Sequence, residues 1–237
     1  MNCINKKGFF AAIAVICSIV LASCGIKSEN LPKENIDRIK TATAGDVIWF
    51  GTCFWRVLDV EDGKALIISD HVLEGRAYHL DEVDVTWAES DMREYLNGSF
   101  IEETFTQEEK ALIIETVLEN KDNQWYGTEG GEQTLDKVFL LSLEELVQYF
   151  GDSGQLENGN DISIVISDEY NDKRIAYDAR GHYKEWWLRS PGGTSHSAAC
   201  VAGGVASEAP YPGEVNVNGI RVATNNGVRP ALWINLE

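Results

Sequence analysis

Strand signals crowd the two ends of the body of this chain and helix signals lie between them, an order that leaves no room for repeated strand–helix–strand units. Val47 to Phe50, Phe54 to Val60 and Lys64 to Ser69 are rich in β-formers, and Asp62-Gly63 is a strong hairpin signal between the last two. Trp55, Val57 and Asp59 alternate with Arg56, Leu58 and Val60, so at least one face of that strand is buried. Ser90 can cap a helix with Met92, Tyr95 and Leu96 on one face, ended by Asn97-Gly98. Thr106 to Glu109 spells a capping box, and the helix it opens is predicted to run to about Leu118 with Leu112, Ile113 and Val117 in the core. Ser142 to Glu145 repeats the signature and opens a short helix closed by Gly151. A Gly, Asn and Asp-rich loop at 151–161 then leads to a short strand, Ile162 to Ile166.

The last third returns to strands. Trp186 to Arg189 is a strand stopped by Ser190-Pro191-Gly192-Gly193, and Ala198 to Ala202 and Gly204 to Ser207 are short and rich in small residues. Val215 to Val222 alternates and carries an Asn218-Gly219 turn, and Asn226-Gly227 leads into a terminal strand, Val228 to Leu236. No period of 20–50 residues repeats and no Pro- or Ser-rich linker divides the body. The predicted fold is one α+β domain, residues 44–237, with an N-terminal β-meander, inserted short helices and a C-terminal β region.

With 237 residues, 44% of them hydrophobic, the chain has ample apolar surface for such a core. Its 20 Lys and Arg face 38 Asp and Glu, a charge of -18 that excludes phosphate-backbone binding and with it a nucleic-acid partner. Of the five Cys, only Cys53 and Cys200 fall in the body, too few for a disulfide scaffold or a zinc site. Either a Cys53–Cys200 disulfide or two separately buried thiols fits this pattern.

The N-terminus reads as an address. Lys6 and Lys7 precede an apolar run, Phe9 to Ala22, that is the length of a signal-peptide core and short for a membrane span of about 20 residues. It ends in Leu21-Ala22-Ser23-Cys24-Gly25, which resembles the lipobox of bacterial lipoproteins. The resemblance implies a signal peptide at 1–23, a diacylated Cys24, and an extracytoplasmic protein anchored to the cell membrane by lipid. Residues 24–43 then form a polar tether. Loss of Lys6 and Lys7 leaves 18 basic against 38 acidic residues, a charge of -20, so anionic lipid repels the body and the acyl chains must anchor it.

Four segments together carry a further resemblance. They are Gly45 to Gly51 with Trp55 to Leu58, Val85-Thr86-Trp87 with Arg93 to Asn97, Trp186 to Gly192, and Gly227 to Leu232. Their order and spacing resemble the bacterial domain-of-unknown-function family 6273, found in secreted and lipid-anchored proteins, over nearly all of residues 44–237. More distantly, the C-terminal third is similar to the C-type-lectin-like fold, which includes the formylglycine-generating enzymes. That likeness implies a compact β core with long loops, a form used as a binding platform. It does not extend to known chemistry: the oxidases use a pair of Cys in this region where Cys200 stands alone, and the Glu-Pro-Asn type of calcium tripeptide is missing. Oxygen ligands for calcium in the 158–172 loop (Asn158, Asn160, Asp161, Asp168, Asn171, Asp172) read first as a solvated acidic loop.

The residues that point to binding are few. Arg189 and Arg229 each follow apolar residues and precede a turn or strand; each reads as an internal clamp or as a fork for a ligand carboxylate. Trp186 and Trp187 adjoin on a strand, so one is expected in the core and the other as an aromatic wall. His196 sits in a loop, and Tyr211, Asn216, Asn218 and Arg221 lie where an exposed aromatic among Asn side chains suits a carbohydrate. No nucleophile–base motif or metal-ligand spacing accompanies them, and no cofactor or metal is expected. The expected function is a lipid-anchored surface protein with a lectin-like, non-enzymatic domain for a glycan or protein ligand. The alternative is a cell-envelope hydrolase using a carboxylate pair that the sequence does not single out.

Overall fold

The computed structural model describes residues 37–154, 156, 165–204 and 211–237. The expected signal peptide, Cys24 and the tether as far as residue 36 lie outside the described residues, as do 162–164 and 205–207 of two expected strands.

Two antiparallel hairpins start the body. Strand β1 (Val47–Phe50) pairs with β2 (Cys53–Glu61), and β2 with β3 (Lys64–Ser69). Asp62 and Gly63, with φ of 47° and 73°, make the turn between β2 and β3, the primed geometry whose twist suits a hairpin. Strand β4 (Glu74–Arg76) leads to a helical region in which Ser90 accepts the amide of Arg93 and caps helix Asp91–Asn97, which buries Met92 and Leu96. Helix Ser99–Thr104 follows directly.

The capping box at Thr106 forms as predicted, but its helix is only Gln107–Lys110. The run expected to continue to Leu118 instead forms strands β5 (Ile113–Ile114) and β6 (Thr116–Leu118). A β-branched run, Ile113-Ile114 and Thr116-Val117, favours extended backbone once partners exist, and β15 (Ala231–Asn235) and β7 (Thr134–Asp136) supply them. Ile113 and Leu118 are buried as strand residues, whereas Val117, expected in the core, is exposed. The second capping box holds: Ser142 and Glu145 exchange side-chain and backbone bonds, and helix Leu143–Phe150 buries Leu143, Leu146, Val147 and Phe150 on one face.

Strand β8 (Val165–Ile166), helix Asn171–Arg174 and the hairpin of β9 (Ala176–Tyr177) and β10 (Tyr183–Lys184) precede the final strands. These are β11 (Trp186–Pro191), β12 (Ser197–Val201), β13 (Val215–Arg221), β14 (Asn226–Val228) and β15 (Ala231–Asn235). Three details differ from expectation. Strand β11 runs through Pro191 rather than stopping before it. Asn218-Gly219 does not turn the chain but sits inside β13, where the register with β12 shifts. The terminal strand is broken at Arg229-Pro230.

That break organises the molecule. One sheet has the order β1-β2-β3-β15-β5 and the other β4-β14-β11-β12-β13-β8, so the chain leaves the second sheet after Val228 and enters the first at Ala231. Proline cannot donate to a ladder, which suits it to the crossing. A single apolar cluster joins the two sheets, with Trp55, Trp87, Trp186, Trp187 and Phe139 fully enclosed. The architecture is α+β in one compact unit that begins at Ile39: Ile39 and Ala42, expected in the tether, are buried in its core.

Candidate functional site

Both tryptophans of β11 are buried, so neither forms the expected exposed wall. Their strand lies inside its sheet and is covered on both faces: Trp186 packs toward Phe150 and Trp187 against Tyr78. Each indole N–H is satisfied by a backbone carbonyl, Trp186 with Arg174 at 3.2 Å and Trp187 with Arg76 at 2.9 Å.

Arg189 is a clamp. Its Nη2 donates to Glu145 Oε1 at 2.8 Å and Nη1 to Glu145 Oε2, while further bonds reach the carbonyls of Leu140 and Glu119 and the Asn120 side chain at 2.9, 3.4 and 3.3 Å. All five guanidinium donors are thereby engaged, and nothing remains for the ligand carboxylate that sequence also allowed. Glu145 is the capping-box acid, so the clamp ties the start of helix Leu143–Phe150 to β11.

Arg229 is built differently. At the sheet crossing it is 2% exposed, its Nε donates to the Ser69 carbonyl at 3.0 Å, and its enclosed Nη1 has no hydrogen-bond partner among the described residues. The guanidinium lies 4.9 Å from the ring of Trp186 and 5.5 Å from that of Phe150, both within reach of a cation–π attraction. Burial, with a contribution from the Arg56 charge, pushes its pKa down to about 10 against the pull of Asp70, which leaves it cationic at neutral pH.

This arginine lines a pocket of about 480 Å³ between the β2–β3 end of the first sheet, helix Leu143–Phe150 and helix Asn171–Arg174. Arg56, Asp70, His71, Lys173 and Tyr177 contribute to the wall. Arg56 donates to Asp70 at 2.7 Å, and His71 Nδ1 lies 3.3 Å from the other carboxylate oxygen. Helix Asn171–Arg174 is pinned by a buried fork: Arg174 donates to Asp168 at 2.9 and 3.0 Å and to the Gly151 carbonyl at 3.0 Å. Asp168, one of the considered calcium ligands, is thus committed to Arg174, to Ser153 and to the Tyr170 amide. Asn158, Asn160 and Asp161 lie outside the described residues. Among the described residues no three His, Cys, Asp or Glu side chains converge in a way that could hold a metal ion.

A second, more open pocket of about 510 Å³ brings together His196, Asn216 and Asn218 with Glu185 and Arg221. Asn216 is buried, and its side-chain oxygen accepts the Gly219 amide at 2.9 Å, so it holds the bulge. His196 lies 3.7 Å from Asp84, and Arg221 is paired with Glu82. Burial raises the pKa of Glu185, partly offset by a contact from the Cys200 thiol at 3.7 Å. Cys200 and Cys53 are not joined by a disulfide. Tyr211 is 65% exposed and lines neither pocket.

Of the residues singled out in the sequence, the structure therefore gathers Trp186 with Arg229 and His196 with Asn216 and Asn218, and sets Arg189 and Tyr211 apart. Sequence reasoning missed Arg56, Asp70, Lys173 and Tyr177, which come from separate elements and share no spacing signal. Among the described residues no helix is long and apolar enough to cross a membrane. Comparisons with curated proteins and with solved structures give no match. The model of the domain of unknown function DUF6273 matches residues 62–236, from the β2–β3 turn through β15 and so across both sheets and the Arg229 crossing. The chain belongs to the DUF6273 family.

Proposed function

We propose that this chain is a lipid-anchored bacterial surface protein whose DUF6273 body is a lectin-like, non-enzymatic ligand-binding domain with its ligand seat in the Arg229 pocket. The observation that carries the reading is Arg229, a buried cation on the wall of a ligand-sized cavity, whose enclosed Nη1 has no hydrogen-bond partner among the described residues. A buried charge without an acid partner is costly, and an anionic group in the pocket would relieve that cost. The Lys6-Lys7, apolar-run and Cys24 order supports the anchor.

Two experiments test it. Metabolic labelling with a clickable fatty acid should mark the protein and fail to mark Cys24→Ser; persistent labelling of that variant would remove the anchor. Glycan-array and pull-down screens with the full chain should find a ligand whose capture is lost in Arg229→Met. Silence in both screens, with turnover of a cell-wall substrate, would favour the second reading. That reading, an envelope hydrolase, draws on Glu185, whose pKa is raised by burial and which lines the same open pocket as His196, as suits a general acid. Turnover would then be lost in Glu185→Gln and kept in Arg229→Met.

A further inference from the structure

We propose that the ligand of the Arg229 pocket is an acidic saccharide, its carboxylate held at Arg229 and its ring face laid on Tyr177. This deepens the proposed function and rests on that assignment of the seat.

Charge sets the first half of the argument. The pocket wall holds Arg56, Lys173 and Arg229 against Asp70 and Asp172, one net positive charge with His71 neutral, in a chain of net charge -18. Arg56 is already bonded to Asp70, and the Lys173 ammonium sits 5.0 Å from the Tyr170 ring. Arg229 is the buried cation of this wall that lacks a bonded acid among the described residues. A single carboxylate matches that balance. A phosphate dianion would bring a second charge toward Asp70 and Asp172, with no further cation to meet it.

Shape sets the second half. Tyr177, on the pocket wall, faces Tyr183 across the β9–β10 hairpin, with ring centroids 5.1 Å apart and planes inclined by 34°. Both rings are exposed, at 41% and 52%. Their hairpin is held by its own turn. Asp178 accepts the amides of Arg180 and His182 at 2.8 and 3.1 Å, and its own amide donates to the His182 carbonyl at 2.9 Å. Packed against Tyr183, the Tyr177 ring is held in place and offers an apolar face with a polar tip, which suits the C–H face and rim hydroxyls of a sugar ring. The pocket's 480 Å³ lies within the usual range of about 300–1,000 Å³ for ligand sites.

The test is calorimetric titration of the detergent-solubilised full chain with glucuronate, glucose, acetate and inorganic phosphate. Glucuronate is expected to bind at least about ten-fold tighter than the other three. Tyr177→Ala, a surface change that leaves the core intact, should weaken glucuronate about ten-fold and leave acetate unchanged. Arg229→Met, with its fold checked by circular dichroism, should lose both. Glucose equal to glucuronate would overturn the carboxylate, and acetate equal to glucuronate would overturn the sugar ring while leaving the Arg229 seat standing. Phosphate as the tightest ligand would overturn the charge argument. Undiminished glucuronate binding by Arg229→Met, or no binding of any probe, would remove the seat itself.

Discussion

Arg189 and Arg229 look alike in the sequence and do opposite things in the fold. Each follows apolar residues and enters the core, but Arg189 meets Glu145 from a helix 44 positions away, while Arg229 meets two aromatic rings and one carbonyl. Which of them would be saturated was not legible, because the deciding partners are brought by tertiary packing. The difference has an energetic consequence. Arg189→Met leaves Glu145 with only the Ser142 amide and takes the donor from the Asn120 side chain and two carbonyls, and is expected to cost about 3–5 kcal/mol. Arg229→Met removes a desolvated cation and loses one hydrogen bond, so it is expected to change stability by no more than about 1 kcal/mol. Urea midpoints of the two variants measure the contrast. Equal losses would mean that Arg229 is a structural clamp after all, and would weaken its assignment as a ligand seat.

Among the elements, those whose signals are local were readable and those defined by a distant strand were not. The β2–β3 hairpin and both capping boxes rest on residues within four positions of one another, and all three form. The helix expected to reach Leu118 fails because its second half is claimed by β15 and β7. Asn218-Gly219 is instructive in the same way: a pair that turns a hairpin when isolated becomes a bulge when both neighbouring strands are already in place. Gly219 keeps the positive φ of +73° that the pair favours, and a Cβ there would lie 2.2 Å from the Ala198 carbonyl oxygen. Gly219→Ala therefore combines backbone strain with a push against β12, and is expected to lower stability by about 1–3 kcal/mol. A denaturation midpoint equal to wild type would show that the two strands can slide to relieve the contact. The same bulge positions Asn216 and Asn218 at the open pocket, so the variant should also move their side chains, visible as shifted amide resonances.

At the scale of the molecule, the acid excess read from composition becomes a statement about pH. Asp178 is held down to about 2, first by the His182 amide; desolvation, the next contribution, opposes this, and the Arg180 amide and the Lys184 side chain then add to the lowering. Burial also works against ionisation of Asp168, but the Arg174 fork, Ser153 and the Tyr170 amide outweigh it and lower its pKa; the Thr43 amide and hydroxyl lower that of Asp46. Each of these carboxyls binds its proton more weakly in the folded chain than in the unfolded one. Their stabilisation is fully present above the ordinary carboxylate pKa of about 4, and is lost as the pH falls toward the folded values. Glu185, raised by burial, works in the opposite sense, so its protonation offsets part of that loss. Because one apolar cluster runs through both sheets, the loss is expected to appear as a single cooperative acid transition, with fluorescence and circular dichroism coinciding. Asp178→Asn isolates one contributor, since an amide oxygen can still accept the two backbone N–H groups but cannot titrate. Its melting temperature should lie below wild type at pH 6, and the gap should close as the pH falls to about 2. Parallel curves across that range would show that the Asp178 charge does not support the fold. Convergence would tie the hairpin that carries Tyr177 and Tyr183 to the ionised carboxylate, and the acid transition that unfolds the core would then take the Tyr177 wall of the pocket with it.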